Sequence, residues 1–259
     1  MNRKLWGVFA GVCAFGMIAV FAAPAQAQMS GDQMKPAEYC YVSFWTVPRP
    51  QWADMLKVQA DDKANMDKMM ADGTINAYGN DATLVHQEGE STHSDWMCGS
   101  SMGNLASVAA SYIASPNQPA VYSASKHSDI IVESTMYNGH SGAFTDGYSR
   151  VSYWKLKKNA PNDAVEQLSK TLFVPTFEKL LAAGAIHNYG VYTEAIHTMD
   201  PGSFWVVFTA AGPDGLDKFN KAVGDMLKQN PLAGAAFDSM VDMSDHRDLL
   251  SRVIITVSK

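Results

Sequence analysis

The sequence predicts an α+β fold made of two tandem β-α-β-β-α-β units. The first observation is a repeated stretch, residues 67–79 and 178–190, in which the end of an amphipathic helix is followed by a glycine and a strand. Gly73 and Gly184 hold the same place in the two copies, where a left-handed residue without a Cβ ends a helix. The second observation is that the same order of predicted elements occurs on both sides of residues 138–147. The chain is therefore interpreted as a tandem repeat.

The first unit is predicted over residues 39–137. Aromatic and β-branched residues favour strands, apolar residues at helical spacing favour helices, and Gly, Pro, Asn and Ser mark the turns between them. These patterns predict a strand at 39–46, a helix at 52–72, strands at 74–86 and 94–99, a short Ala- and Ser-rich helix at 104–114, and a strand at 129–137.

The second unit is predicted over residues 148–259, after a linker at 138–147. Its first strand contains Val-Ser-Tyr-Trp at 151–154, which matches Val-Ser-Phe-Trp at 42–45. Pro175 should kink or interrupt the helix that follows, because proline has no backbone N–H. The predicted elements are a strand at 148–156, a helix from 162 or 163 to 183, strands at 185–196 and 203–209, a helix at 216–229 and a last strand at 249–257.

Residues 1–27 have the features of a signal peptide. Arg3 and Lys4 precede an apolar run at 5–22, and Ala-Gln-Ala at 25–27 resembles a cleavage site. An uncleaved membrane anchor is the alternative, although the apolar run is short for a membrane span. Cleavage would leave a flexible lead-in at 28–38 and an exported protein, either periplasmic or secreted.

The net charge limits the classes of partner. The whole chain carries −6 at pH 7, and loss of Arg3 and Lys4 with the signal peptide would make this −8. A net acidic surface argues against nucleic acid as a partner, and against membrane binding after cleavage. The acidic residues near the predicted strand turns are most simply a solvated rim: Glu88, Glu90, Asp95 and Asp200.

A β-α-β-β-α-β unit forms a four-stranded antiparallel sheet with both helices on one face, so its other face must be covered. Two fused units can cover each other, sheet to sheet. With this pattern over residues 39–258, the sequence resembles the dimeric α+β barrel superfamily of tandem ferredoxin-like units, which includes antibiotic-biosynthesis-monooxygenase-like, stress-responsive and NIPSNAP-like domains. The resemblance implies one pseudo-dimeric barrel. No diagnostic catalytic motif of these families is present, so no catalytic residue is transferred.

The ferredoxin-like strand order also implies a disulfide. It places the first and third strands of a unit side by side and antiparallel, so that the start of one lies opposite the end of the other. Cys40 is near the start of the first strand and Cys98 near the end of the third. We therefore expect a Cys40–Cys98 bridge; the alternative is two buried thiols that never meet, since bridging requires Cα atoms within about 7 Å.

Tyrosines at matching places are candidate ligand-binding residues. Tyr78 and Tyr189 each follow the helix-ending glycine by five residues, and Asn76 and His187 precede them by two. In each strand the two side chains therefore point to the same face. They either line a ligand pocket or pack in the core with their hydroxyl groups satisfied at its edge.

Histidines and tryptophans supply the other candidates. His86 and His197 end the second strand of their units, and Trp96 and Trp205 lie in the third. The histidines could bind haem or a metal or act as a base, or they could simply cap backbone groups or face water. No metal-binding spacing is present, so no metal site is predicted. The indoles could wall an apolar cavity or merely fill the barrel.

Together these features predict an exported protein that binds a small, largely apolar molecule in a barrel cavity. Monooxygenase-like or haem-related chemistry is implied by the family resemblance alone. The alternative is a non-catalytic binding or stress-associated interaction module with a filled barrel. The fused barrel could remain a monomeric pseudo-dimer or assemble into a higher homo-oligomer.

Overall fold

The computed structural model describes residues 38–85 and 89–259. The predicted signal peptide, most of the lead-in and His86 lie outside these residues. The strands are β1 (Tyr39–Thr46), β2 (Ala77–Val85), β3 (His93–Gly99), β4 (Lys126–Gly139), β5 (Gly142–Phe144), β6 (Tyr148–Leu156), β7 (Ile186–Glu194), β8 (Ser203–Ala210) and β9 (Val241–Ser258). The helices are α1 (Trp52–Asp72), α2 (Met102–Ala114), α3 (Ala120–Ala124), α4 (Ala164–Leu168), α5 (Val174–Ala182), α6 (Pro213–Gln229) and α7 (Pro231–Met240).

Eight strands form a closed antiparallel barrel in the order β2-β3-β1-β4-β7-β8-β6-β9, and β9 pairs with β2 to close it. The two units have the same internal order. The long strands β4 and β9 join them, because each pairs with its own unit over one half and with the other unit over the rest. The predicted pseudo-dimeric α+β barrel is confirmed, and its closure removes exposed sheet edges.

The helices pack on the outside of the barrel, and the repeated glycines end two of them. Gly73 follows α1 with a φ of 82°, and Gly184 follows the α5 helix with a φ of 66°. Both conformations are left-handed and favour glycine. A π-helical turn at Ser169–Phe173 joins α4 to α5, directly before Pro175. The helix is therefore interrupted near the proline, as the sequence predicts.

The sequence patterns do not predict three elements of the structure: α3, α7 and β5. Helix α7 begins at Pro231, and its short sequence has no clear amphipathic spacing that would indicate a helix. Strand β9 begins eight residues before the predicted Leu249, because pairing with β6 holds this polar, partly exposed segment in the barrel. In residues 38–85 and 89–259, no helix is both long and apolar enough to cross a membrane.

Cys40 and Cys98 face each other directly on β1 and β3 and form a disulfide, with Cα atoms 4.1 Å apart. Both are buried on the inner side of the barrel. The corresponding opposed pair in the second unit is Ser149 on β6 and Thr209 on β8. The covalent link between neighbouring strands is therefore a feature of the first unit.

Candidate functional site

The interior of the barrel is largely filled by side chains. The Trp96 indole N–H donates to Asp81 Oδ2 at 3.1 Å, and the Trp205 ring lies 5.7 Å from that of Tyr153. Burial raises the pKa of Asp81 to about 7. A central cavity of about 110 Å³ lies among these side chains, and it shares Phe44, Val151 and Trp205 with a wide, open depression. Pockets for drug-sized ligands occupy roughly 300–1,000 Å³, so the expected central ligand cavity is too small for such a molecule.

Trp96 and Trp205 both lie on the third strand of their units, but at different registers. Trp96 is opposite Val42 on β1, whereas Trp205 is opposite Tyr153 on β6. Counted from strand pairing, the position equivalent to Trp96 is Val207, which lies opposite Val151. Both indoles line the small central cavity, and Trp96 also borders, together with His127, the larger cavity described below.

The two candidate tyrosines face the helices. The Tyr78 hydroxyl donates to Asp67 Oδ1 at 2.7 Å, and the Tyr189 hydroxyl donates to Glu178 Oε1 at 2.5 Å. Both rings are 1% exposed. Tyr189 stacks on a phenylalanine of α5 and is part of the core of its unit. Tyr78 borders a second and larger cavity, described below.

The other candidates do not converge. His187 stacks on Phe144 with ring centroids 4.4 Å apart, and His197 is exposed in the loop after β7. The backbone N–H of Asn76 donates to the carbonyl of Cys98 at 2.7 Å, and Asn76 does not line either of the two cavities. The structure therefore does not bring these side chains together into one site.

The larger cavity measures about 380 Å³ and lies between the outer face of the first unit's sheet and helices α1, α2 and α3. Its wall is mainly apolar and aromatic, with several acidic and amide side chains among them. The apolar and aromatic wall includes Tyr41, Trp45, Met66, Tyr78, Met97, Ala109, Tyr112, Ile113 and Tyr122, and the polar wall includes Gln59, Asp62, Asn80, Asp95, His127 and Asp129.

Asp95 lies at the base of this cavity. Its Oδ1 accepts hydrogen bonds from Gln59 Nε2 at 2.6 Å and Asn80 Nδ2 at 2.8 Å. Burial raises the pKa of Asp95 to about 6, and the bonds from Asn80 and Gln59 partly oppose that rise. The prediction that Asp95 belongs to a solvated rim is therefore wrong. Its place on a helix-facing position of β3, where alternation favours an apolar residue, could have revealed it.

Two further carboxylates border the cavity. Asp62 on α1 accepts a hydrogen bond from the Tyr112 hydroxyl at 2.7 Å, and burial raises its pKa. Asp129 on β4 accepts a hydrogen bond from Ser43 at 2.7 Å and lies 3.5 Å from His127 Nε2. The cavity therefore holds more negative than positive charge.

Trp45 joins the strand side of the cavity to α3. The Trp45 ring contacts the rings of both Tyr122 and His127. Each of these rings has its centroid 4.6 Å from that of Trp45. Burial raises the pKa of Tyr122, and the negative charge of the neighbouring Asp95 raises it further. The aromatic wall is thus built from β1, β4 and α3 together.

At the same position in the second unit, apolar and aromatic side chains pack between the sheet and the helices. Opposed valines, Val191 on β7 and Val206 on β8, occupy the positions of Asn80 and Asp95. Phe177 packs against the rings of Phe208 and Phe219, at 5.7 and 5.6 Å. The space between sheet and helices is therefore packed with aromatic rings.

Comparison with solved structures agrees with the fold. A candidate monooxygenase from Lactobacillus acidophilus superposes with a TM-score of 0.56 at 12% identity, over 86% of this chain and 97% of the other. An anthrone oxidase-like protein gives 0.51 at 10%, over 86% and 94%. A haem-binding protein from Thermus thermophilus gives 0.54 at 11%, over 85% and 92%. At these identities the likeness shows the α+β barrel fold alone.

No protein-family model matches the sequence, and no curated protein matches it.

The cavity lining does not fit haem. Its carboxylates, Asp62, Asp95 and Asp129, would face the negatively charged propionates of the cofactor. Lys63 is at the edge, but it is paired with Asp67 at 2.5 Å. For metals, the one group of three ligand-type side chains found in residues 38–85 and 89–259 contains Glu38 and the two bridged cysteines. A disulfide sulfur is not the thiolate that metals bind, so this group is not a metal site.

Proposed function

We propose that the protein binds a small, largely apolar molecule in the cavity between the sheet of the first unit and helices α1 to α3. The observation that carries this proposal is the 380 Å³ cavity, whose volume falls within the range of ligand pockets. Met66, Met97, Ala109 and Ile113 supply apolar surface, and the buried polar groups supply orientation. Ligand sites commonly combine these two kinds of surface.

The packing of the molecule supports this choice of site. Protein interiors are normally close-packed, and unfilled volume in a core lowers stability. The second unit follows that rule, with Phe177, Phe208 and Phe219 in contact. The first unit keeps its space open in an otherwise equivalent frame, which is expected of a binding site.

The proposal concerns binding rather than oxidation. The structural neighbours include proteins named as oxidising or haem-binding, but at 10–12% identity they support the fold alone. The filled barrel interior agrees with the rival expectation of a non-catalytic protein. The cavity outside the barrel gives such a protein room for a ligand.

Indole binding provides a test, because indole is neutral, aromatic and smaller than the cavity. Isothermal titration calorimetry on the mature protein should show one site. Ala109→Phe places a ring in the cavity and should abolish binding. Ala110→Phe on the exposed side of α2 is the matched control and should bind indole as the wild type does. Absence of indole binding to the wild type, or equal binding to Ala109→Phe, would overturn the proposal.

We also propose that the protein is exported and cleaved after Ala27. The basic start, the apolar run and the Ala-Gln-Ala sequence support this. The Cys40–Cys98 disulfide also favours it, because disulfides persist in oxidising compartments. Intact-mass measurement of protein from a fractionated native source should give a chain that begins at Gln28. A full-length chain confined to the cytoplasm would contradict export.

A further inference from the structure

The larger cavity has an unbalanced charge. Asp95 accepts its hydrogen bonds from two neutral amides, those of Gln59 and Asn80. The nearby Lys63 ammonium pairs with Asp67, and the His127 ring lies beside Asp129. A partly buried carboxylate without a cationic partner is costly, so the cavity favours a guest that brings positive charge.

Two polar atoms of the cavity wall, the Trp45 indole N–H and Gln59 Oε1, have no hydrogen-bond partner within the described residues of the chain. The Tyr112 hydroxyl donates to Asp62, and the Tyr78 hydroxyl donates to Asp67. Gln59 is only 4% exposed, and its Oε1 accepts no hydrogen bond in the part of the chain that the structure describes. Its Nε2 donates to Asp95, so the orientation of the amide places Oε1 as the spare acceptor. A guest with N–H donors would satisfy it.

The distances between the carboxylates separate an organic cation from a metal ion. Among residues 38–85 and 89–259, Asp62, Asp95 and Asp129 do not form a group whose ligand atoms lie within 4.8 Å of one another. A metal ion bound by protein oxygens needs several of them at about 2.0–2.6 Å, so these carboxylates are too dispersed to surround one. An extended molecule with one charged end fits their arrangement better.

Deepening the proposed function on which it rests, we propose that this cavity recognises a protonated organic amine. The ammonium group lies against Asp95 and Gln59, and the apolar part of the ligand extends toward Met66, Ala109 and Ile113. The tyrosine rings of the wall add favourable contacts with a cation through their π-faces. The second unit, with Val191 and Val206 at the positions of Asn80 and Asp95, has no such recognition.

A matched series of indole derivatives tests the proposal. Tryptamine is a cation, tryptophol is its neutral alcohol analogue, and indole-3-acetate is an anion. Calorimetry at pH 7.5 should show tryptamine binding at least about tenfold more tightly than tryptophol, since a charge-assisted hydrogen bond outweighs a neutral one. Indole-3-acetate should bind more weakly than tryptophol.

Asp95→Asn keeps an oxygen that Gln59 and Asn80 can bond but removes the charge. It should abolish the preference for tryptamine over tryptophol. Asp217→Asn, an exposed change on α6 with the same change in net charge, should retain the full preference. Circular dichroism and thermal unfolding establish that both variants are folded before titration.

The outcomes separate the two proposals. If indole and tryptophol bind and tryptamine shows no advantage, the amine proposal is overturned and small-molecule binding stands. If the wild type and folded Asp95→Asn prefer tryptamine equally, Asp95 is not the group that recognises the ammonium, and the amine proposal is again overturned. If no probe binds, both proposals fail. A preference lost only in Asp95→Asn supports the amine proposal.

Discussion

The two units share a frame but use the space between sheet and helices differently. In both, a tyrosine after the helix-ending glycine donates to a carboxylate of the preceding helix: Tyr78 to Asp67 and Tyr189 to Glu178. Beyond that frame, the second unit packs phenylalanine rings together, and the first leaves a cavity. A repeated backbone can therefore support one stably packed unit and one open unit.

A second shared feature lies at the start of the last strand of each unit. The Trp45 ring contacts His127 at a tilt of 30°, and Trp154 stacks on His246 with ring centroids 3.5 Å apart. In each unit a serine bonds the aspartate two residues after the histidine. This repetition gives the matching His and Asp positions in the sequence a structural role.

The largest difference between the units should appear when a core side chain is removed. Phe177→Ala leaves a cavity among packed rings and should lower the free energy of unfolding by about 3–5 kcal/mol. The corresponding change in α1, Met66→Ala, removes a half-buried side chain beside an existing cavity and should cost only about 1 kcal/mol, roughly half the value of a fully buried side chain. Urea unfolding of both variants provides the measurement. Equal losses would contradict the contrast between a packed and an open unit.

The disulfide is the next largest contrast. Its 58-residue separation constrains the unfolded chain, so the double variant Cys40→Ser, Cys98→Ser should lose about 2–4 kcal/mol of unfolding free energy. Wild type unfolded in the presence of a reductant should reach a similar value. The matched positions in the second unit serve as the control: Ser149→Ala with Thr209→Ala should cost less than the cysteine pair. A reductant without effect would show that the bridge is absent from the purified protein.

The frame was predictable from sequence because it depends on local signals that occur twice. Helix-ending glycines, strand alternation and the repeated order of elements identify two units and their barrel. The disulfide prediction depends only on which strands are neighbours. The joining of the sheets by long strands is less visible, because the first half of β9 is polar and is held by pairing rather than by burial.

The candidate site was harder to predict because a cavity is the absence of side chains. The sequence points to Tyr78 and Trp96, but as part of a central pocket rather than one under the helices. Asp95 is of a residue type that usually lies on the surface, and only its strand register places it on the side of the sheet that the helices cover. The small side chains of α2, such as Ala109, carry no signal until the opposing packing is known.

Asp95 should reduce stability at neutral pH, in contrast to Val206 in the second unit. Its folded-state pKa of about 6 lies above the ordinary value of about 3.9, so the folded state binds the proton more tightly than the unfolded chain. The stabilisation from the protonated form is present below about pH 4 and is lost as the pH rises through 6. Asp95→Asn should therefore stabilise the protein by about 1–3 kcal/mol at pH 7.5 and have little effect at pH 4.

Urea unfolding at the two pH values checks this prediction, with Asp217→Asn as the charge control. Other groups facing the cavity, Asp62 and His127, remain in both variants, as does Asp81 inside the barrel with its pKa raised to about 7. The difference between Asp95→Asn and the wild type isolates Asp95 from them. A loss of stability at pH 7.5 would mean that the ionised carboxylate is favourably held by its amide partners.

The smallest expected effect tests what the units share. Tyr78→Phe and Tyr189→Phe each remove one hydrogen bond to a carboxylate and should each cost about 1–2 kcal/mol. The carboxylates keep other partners, since Asp67 pairs with Lys63 and Glu178 accepts from Asn138 at 2.8 Å. Neither is therefore left as an isolated charge, and similar losses in urea unfolding are expected. A loss confined to Tyr189→Phe would show that the open unit contributes its tyrosine to the cavity rather than to the stability of the frame.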